Sequence, residues 1–249
     1  LDHLGIASLS LGFGGEDRSG TYHSAYDTPW FEDKFGDKGA VYGPVLAQMA
    51  GTLVMRVADA DILPYDFTIL TSTVKGYDTE LKNLVKSLQG DAALRKRNID
   101  LGLYALTNDP QNPVHAPGLL TAPPDLDFSA LDRAIAALNA AAVQYRTATA
   151  KIPALSPEKR KTLNAELALA ERRLTSEQGL PGRPWIRHVL YAPGTYTGYG
   201  AKTIPGVREA LEQGRYQEAQ EQLAVVSKAL AGEATFVEQI AAEFGASAQ

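Results

Sequence analysis

Ser129-Ala130-Leu131-Asp132-Arg133-Ala134-Ile135-Ala136-Ala137-Leu138-Asn139-Ala140-Ala141-Ala142-Val143-Gln144-Tyr145 reads as one amphipathic helix. Leu131, Ile135, Leu138, Ala142 and Tyr145 recur at three- and four-residue steps, so at 3.6 residues per turn they share a face. Ser129 followed by Asp132 resembles a capping pair at its start. An apolar face of this kind must be buried against something, and the sequence downstream supplies the partners. Ser156-Pro157-Glu158 is a helix start with proline at the first helical position, and Leu163, Leu167, Ala170 and Leu174 continue the stripe. A third helical region carries Val207, Leu211, Tyr216, Leu223, Val226 and Leu230, then Phe236, Val237, Ile240 and Phe244. These stripes predict a small helical bundle.

Upstream the character differs. The stretch from Asn108-Asp109-Pro110-Gln111-Asn112-Pro113 to Pro123-Pro124 is rich in proline and small residues and reads as a loop or linker, with His115 exposed within it. Before it, Leu81, Leu84, Val85 and Leu88 have helical spacing within Asp78 to Leu88. Between Ala40 and Ala58, Val41, Val45, Leu46, Met49, Leu53, Val54 and Val57 are apolar around much of a helical wheel. Such a helix is expected inside a layered α/β domain rather than on its surface. Asp59, Asp61 and Asp66 flank the turn that ends it and read as caps or solvated groups rather than a metal cluster. Gly5 to Ser10 predicts a short buried strand. The Gly12-Phe13-Gly14-Gly15 loop after it has no phosphate-loop spacing, and the polar Glu16-Asp17-Arg18-Ser19-Gly20 connection follows.

The chain has 249 residues, enough for one large domain or two small ones. Its 24 basic and 29 acidic residues are interspersed, and the net charge of −5 leaves no basic face for nucleic acid. No cysteine is present, so a zinc ion would have to be held by histidine and carboxylate. No apolar run approaches the roughly 20 residues of a membrane span, and Leu1-Asp2-His3-Leu4 lacks the features of a signal peptide. The chain lacks an initiator methionine and reads as a fragment of a longer protein.

Of the four histidines, His23 has the surroundings best suited to chemistry. In Gly20-Thr21-Tyr22-His23-Ser24-Ala25-Tyr26-Asp27-Thr28 it offers a neutral imidazole, Tyr22 a phenol, and Asp27 an acid that could orient the ring. A surface or hydrogen-bonded core histidine is the competing reading, and a hydrolase using His23 with Asp27 on this chain alone is another; no Gly-x-Ser-x-Gly motif occurs. Arg187-His188 lies among Trp185, Ile186, Val189 and Leu190 and reads as packed and structural. The long excursion from Gly179 to Pro205 is expected to have a function of its own.

Four segments recur together in order: Leu4-Gly5-Ile6-Ala7-Ser8, Tyr22-His23-Ser24-Ala25-Tyr26-Asp27-Thr28, Arg183-Pro184-Trp185-Ile186-Arg187-His188-Val189-Leu190-Tyr191-Ala192-Pro193, and Ile204-Pro205-Gly206. Through them the chain resembles the C-terminal part of the glutamate carboxypeptidase and transferrin receptor family, the M28 zinc peptidases with an appended dimerisation domain. The resemblance implies an α/β fold: the C-terminal part of a mixed-sheet zinc-peptidase domain over residues 1–120, then an α-helical bundle dimerisation domain over 121–249. It implies that His23 is a ligand of one of two zinc ions, with the other ligands outside this chain, and that Tyr22 is the transition-state donor. Tyr199 matches a tyrosine that grips the substrate's terminal carboxylate, while Gly198 stands where the family has a lysine. Leu9-Ser10-Leu11-Gly12-Phe13 likewise replaces a run with arginines, which argues against a pocket for acidic side chains. The implied activity is hydrolysis of peptide bonds by metal-activated water. The implied partners are a second copy through the helical domain, the N-terminal part of the same protein, and a peptide substrate; nucleic acid is excluded. The implied location is extracellular or periplasmic. The alternative is a noncatalytic, receptor-like dimerisation module.

Overall fold

The structure is a computed structural model and describes residues 1–14, 21–106, 109, 111, 115–149 and 155–246. The connection read at 16–20, Gly15 of the glycine loop, and Asn108, Pro110, Asn112 and Pro113 of the linker lie outside the described residues. Compact packing divides the chain into two units, Leu1–Ile6 with Tyr65–Gln249, and Ala7–Pro64.

The smaller unit contains α1 (Pro29–Phe35) and α2 (Tyr42–Ala58). The Thr28 hydroxyl accepts from Phe31 N at 3.2 Å and caps α1, with Pro29 at the first helical position. Both carboxylate oxygens of Asp37 accept from the start of α2, from Val41 N at 2.8 Å and Tyr42 N at 2.9 Å. The apolar helix expected between residues 40 and 58 therefore forms, but its expected burial does not occur. No residue of α2 is buried, and Met49, Val54 and Met55 are more than half exposed. A helix apolar around much of its circumference needs neighbours on several sides, and among the described residues its own unit offers one other helix, of seven residues.

The strand expected at Gly5–Ser10 is absent as well: residues 6–10 are exposed and in no ladder. A strand is stable only when neighbours satisfy its N–H and C=O groups. The one sheet among the described residues pairs β1 (Tyr191–Pro193) antiparallel with β2 (Ala201–Thr203), in the register Tyr191↔Thr203, Ala192↔Lys202, Pro193↔Ala201. The structure is mostly helical, and among the described residues of 1–120 the expected mixed sheet is not found.

The larger unit is the helical bundle. α3 (Phe67–Asp100) begins at Asp66, whose carboxylate accepts from Thr68 N at 2.9 Å and Thr68 Oγ1 at 2.6 Å; these bonds hold its pKa below the usual range. With 34 residues, α3 extends well beyond the predicted Asp78–Leu88 in both directions. Phe67, Thr71, Val74, Asp78, Leu81 and Val85 face inward at three- and four-residue steps. After the short α4 (Leu103–Leu106), the next helix is α5 (Ser129–Ala148). Its cap is not the Ser129–Asp132 pair: Asp127 Oδ1 accepts from Ser129 N at 2.8 Å. Phe128 occupies the cap position and is buried, which leaves the capping to the acceptor one residue earlier. α6 (Pro157–Leu167) starts as expected, with the Ser156 hydroxyl accepting from Lys159 N at 3.2 Å. Then follow α7 (Ala170–Arg173), the β1–β2 hairpin, α8 (Pro205–Glu212) and the 31-residue α9 (Tyr216–Ala246).

α5 lies along α9, with α3 against α5 and α8 against α9. Leu131 and Leu138 of α5, Leu163 and Leu167 of α6, and Leu223, Leu230 and Phe244 of α9 are all essentially inaccessible. Each such side chain contributes about 1.5–3 kcal/mol by leaving water. An aromatic chain crosses the bundle: Phe67 meets Tyr145 edge-on at 5.0 Å, and Tyr145 meets Phe244 at 5.7 Å. Burial, and then the charge of Asp66, push the Tyr145 hydroxyl up to about 12, so it stays neutral.

Residues 1–6 dock on the same unit. Asp2 O accepts from Arg187 N at 2.6 Å and His188 N at 3.0 Å, and His3 Nδ1 lies 2.6 Å from Trp185 O. Gly5 has φ of 59°, and a Cβ there would stand 2.6 Å from the Cα of Arg172. Both the left-handed backbone and the close approach require glycine.

Glu233 of α9 is fully inaccessible, and neither of its carboxyl oxygens has a hydrogen-bond partner. Burial pushes its pKa up to about 8, against the pull of Arg173, with the charge of Glu171 adding to the rise. The folded state therefore holds a proton that the unfolded chain releases near the usual glutamate value. Its stabilising contribution is complete below about pH 4.5 and is lost as pH rises through about 8. Thermal unfolding should show the protein losing stability between pH 5 and 9, by an amount on the order of a few kcal/mol attributable to this group. Glu233→Gln should remove that component; an unchanged pH profile in the variant would refute the assignment.

Candidate functional site

The sequence-predicted residues fall in two places. Tyr22 and His23 lie in the smaller unit, on a tight turn before α1. Ser24 N and Ser24 Oγ both donate to Thr21 O, at 3.0 and 2.7 Å, Tyr26 N donates to Ser24 Oγ at 3.1 Å, and Asp27 N donates to Ser24 O at 3.1 Å. Within this turn His23 takes φ of 60°, in the left-handed region. A non-glycine residue there costs on the order of 1–3 kcal/mol and persists only where its surroundings enforce it. Asp27 helps enforce it by accepting from His23 N at 3.1 Å. The carboxylate expected to orient the imidazole is thus engaged by the backbone of the same residue. The two rings stack, with centroids 3.9 Å apart and planes 19° from parallel, so phenol and imidazole are presented side by side.

A dinuclear zinc centre needs several histidine and carboxylate ligands. Among the described residues no three such groups lie close enough together to hold a metal. His23 brings a single imidazole, so these residues do not by themselves fit the pair of zinc ions that the sequence reading attaches to the complete protein.

Gly198 and Tyr199 lie on the other unit, in the loop of residues 194–200 between β1 and β2. The tip projects into solvent, with Tyr196 and Tyr199 85 % and 86 % exposed. The base is closed tightly: Gly194 N donates to Thr197 O at 3.1 Å, and a Cβ on Gly194 would stand 2.5 Å from Thr197 Oγ1. Beneath it sits a charged clamp that the sequence reading missed. Arg183 donates through Nη1 to Pro193 O at 2.6 Å and through Nη2 to Glu209 Oε2 at 2.6 Å. Glu209 Oε1 accepts from Thr195 N at 2.7 Å, and its Oε2 also accepts from Thr195 Oγ1 at 3.0 Å. The side chains of Arg183 and Glu209 are only 14 % and 9 % exposed. On the β2 side, Arg208 Nη2 and Thr203 Oγ1 both donate to Glu80 Oε2 of α3, at 2.6 and 2.9 Å, and Lys202 pairs with Glu212.

His188 is structural, as read from its neighbours. It is fully buried; its Nδ1 accepts from Leu190 N at 3.3 Å, which leaves the proton on Nε2 to bond Glu171 Oε1 at 2.9 Å. Tyr191 OH donates to the same oxygen at 2.5 Å. Burial opposes the charge of Glu171, but these two donors outweigh it and hold its pKa below the usual range. His188 and Tyr191 stack at 4.3 Å, fixing the start of β1 against α7.

Residues 126–238 match the transferrin receptor-like dimerisation domain. Beyond that domain, the chain is similar to a "Probable glutamate carboxypeptidase LAMP1" of Arabidopsis thaliana, 29% identical over 237 residues, covering 92% of this chain and 29% of the relative. It is similar to "Aminopeptidase NAALADL1" of Rattus norvegicus, 27% identical over 257 residues, covering 96% of this chain and 30% of that protein. A shorter likeness, 34% identical over 67 residues, covers 27% of this chain and 8% of an "Inactive zinc metalloprotease C354.09c" of Schizosaccharomyces pombe. The chain thus spans about 30 % of the length of the two relatives it matches nearly end to end. The chain thus carries a transferrin receptor-like dimerisation domain in its helical bundle, and its similarity to proteins named as a glutamate carboxypeptidase and an aminopeptidase reaches over most of its length.

Proposed function

We propose that this chain is the C-terminal portion of a dinuclear zinc exopeptidase, in which residues 1–120 complete the peptidase domain and residues 121–249 form the dimerisation domain. The observation that carries the reading is the Tyr22–His23 pair, held side by side on a turn that enforces a left-handed backbone at His23. Strain of this kind concentrates at sites where a side chain must be aimed. His23 supplies one ligand, and the remaining ligands come from outside these 249 residues. When bound, the metal would supply the activated water that attacks the peptide carbonyl. From this chain, Tyr22 would donate a hydrogen bond to the oxygen on which charge develops, and the Gly198–Tyr199 loop would meet the substrate's carboxyl end. Glycine at 198 leaves no ammonium there to select a terminal carboxylate.

The exposed apolar surface of α2 supports an N-terminal part of the same protein as the element that completes the peptidase domain. The dimerisation domain supports homodimer formation. A noncatalytic, receptor-like module is the second reading, favoured by the relative named inactive. No helix among the described residues is long and apolar enough to cross a membrane; an extracellular or periplasmic location follows from the family reading alone.

Metal analysis and steady-state kinetics on the full-length protein separate the two readings. The peptidase reading expects two zinc ions per protomer, with His23→Ala losing about one of them and turnover falling at least 10²-fold. Tyr22→Phe should keep the zinc and lower kcat about 10²-fold. A metal-free protein without hydrolytic activity would favour the noncatalytic module. Sedimentation of the full-length protein should give the mass of a dimer, and a monomer at micromolar concentration would count against the interface.

A further inference from the structure

We propose that Glu209 and Arg183 are positioning residues: together they fix the base of the β1–β2 hairpin and so set where its tip, with Tyr199, meets the substrate. The proposal rests on the reading that this tip contacts substrate, and it names the device that holds the tip in place. The two sides of the hairpin are anchored differently. On the β2 side, Lys202–Glu212 and Arg208–Glu80 involve side chains that are a fifth to a half exposed, where water and salt weaken the attraction. On the β1 side, Arg183 and Glu209 are nearly inaccessible, and their four bonds all run within the hairpin base. Charge-assisted bonds away from water are the strong ones, and removing one partner strands the other charge.

The geometry also specifies what is held. Pro193 closes β1 and Thr195 opens the loop, so the clamp grips the chain on both sides of Gly194. A shift at that point is carried to Tyr199, five residues beyond Gly194 along a tip that is itself mostly in solvent. Glu209 is delivered by α8, which packs on α9, and Arg183 by the segment that carries the buried Leu180 and Ile186. The tip is thereby referred to the bundle core. Displacing a substrate contact by about 1 Å is enough to cost as much as 10²-fold in rate or affinity.

Glu209→Gln in the full-length protein is the test, because the amide keeps the shape while, in either orientation, setting its N–H₂ against a donor, Arg183 Nη2 or Thr195 N. Hydrogen exchange should quicken about tenfold over residues 191–203 and stay unchanged over α9. With a dipeptide blocked at its amino end and free at its carboxyl end, KM should rise about tenfold while kcat changes less than about threefold. Arg183→Lys, which loses the two-pronged geometry but keeps the charge, should move both readouts the same way by less, and serves if the glutamine variant does not fold. Unchanged exchange over 191–203 in both variants would overturn the clamp. Faster exchange without a rise in KM would overturn the positioning role. In that event Tyr199→Phe locates the error: a raised KM there leaves the substrate reading standing, and an unchanged one shows that the reading beneath the proposal has failed.

Discussion

The seam between α5 and α9 is the constraint on which the rest of this structure depends. Leu131, Leu138 and Tyr145 on one helix meet Leu223, Leu230 and Phe244 on the other, and none of them retains more than trace exposure. Burying that surface is what offsets the conformational entropy lost in ordering two long helices, since most helical stability in a protein comes from packing of the apolar face. Everything with chemical interest in the larger unit is mounted on this seam. α8 sits on α9 and delivers Glu209; α3 sits on α5 and delivers Glu80; α7 carries Glu171 to His188 and Tyr191.

The same packing explains why two sequence motifs far apart in the chain belong together. Residues 1–5 and 183–193 meet through Asp2, His3 and Gly5, with backbone bonds to Arg187 and His188 and a contact at Arg172 too close for any side chain but hydrogen. The Leu4-Gly5-Ile6 segment, which looks strand-like by composition, acts at its start as a tether on the bundle.

Much of the bundle was legible from apolar spacing, because helix burial depends on a local period: the inward faces of α5, α6, α8 and α9 fall where the stripes predict. The cap of α5 lies two residues before the Ser129 that the sequence pattern points to, because burial of Phe128 overrides the local signal of Ser129 and Asp132. The length of α3 was underestimated because its outward turns carry lysine, glutamate and threonine, which obscure the apolar period. The strand at Gly5–Ser10 and the burial of α2 failed for a different reason. Both depend on neighbours that the sequence of these segments does not specify, and among the described residues no strand pairs with Gly5–Ser10 and no residue of α2 is buried. At the site, motif likeness singled out Tyr22, His23, Gly198 and Tyr199. The Arg183–Glu209 clamp escaped it because the two residues are 26 positions apart and become partners only through the hairpin. Arg183 stood inside a recognised segment, but nothing in the sequence named its partner.

The central claim is that His23 belongs to a metal centre that the rest of the protein completes. Anomalous diffraction at the zinc absorption edge, from crystals of the full-length protein, tests it most directly. The account predicts a zinc peak about 2.0–2.1 Å from an imidazole nitrogen of His23, with a second metal close by. A well-ordered His23 with no metal within bonding distance, in crystals grown with zinc present, would contradict it.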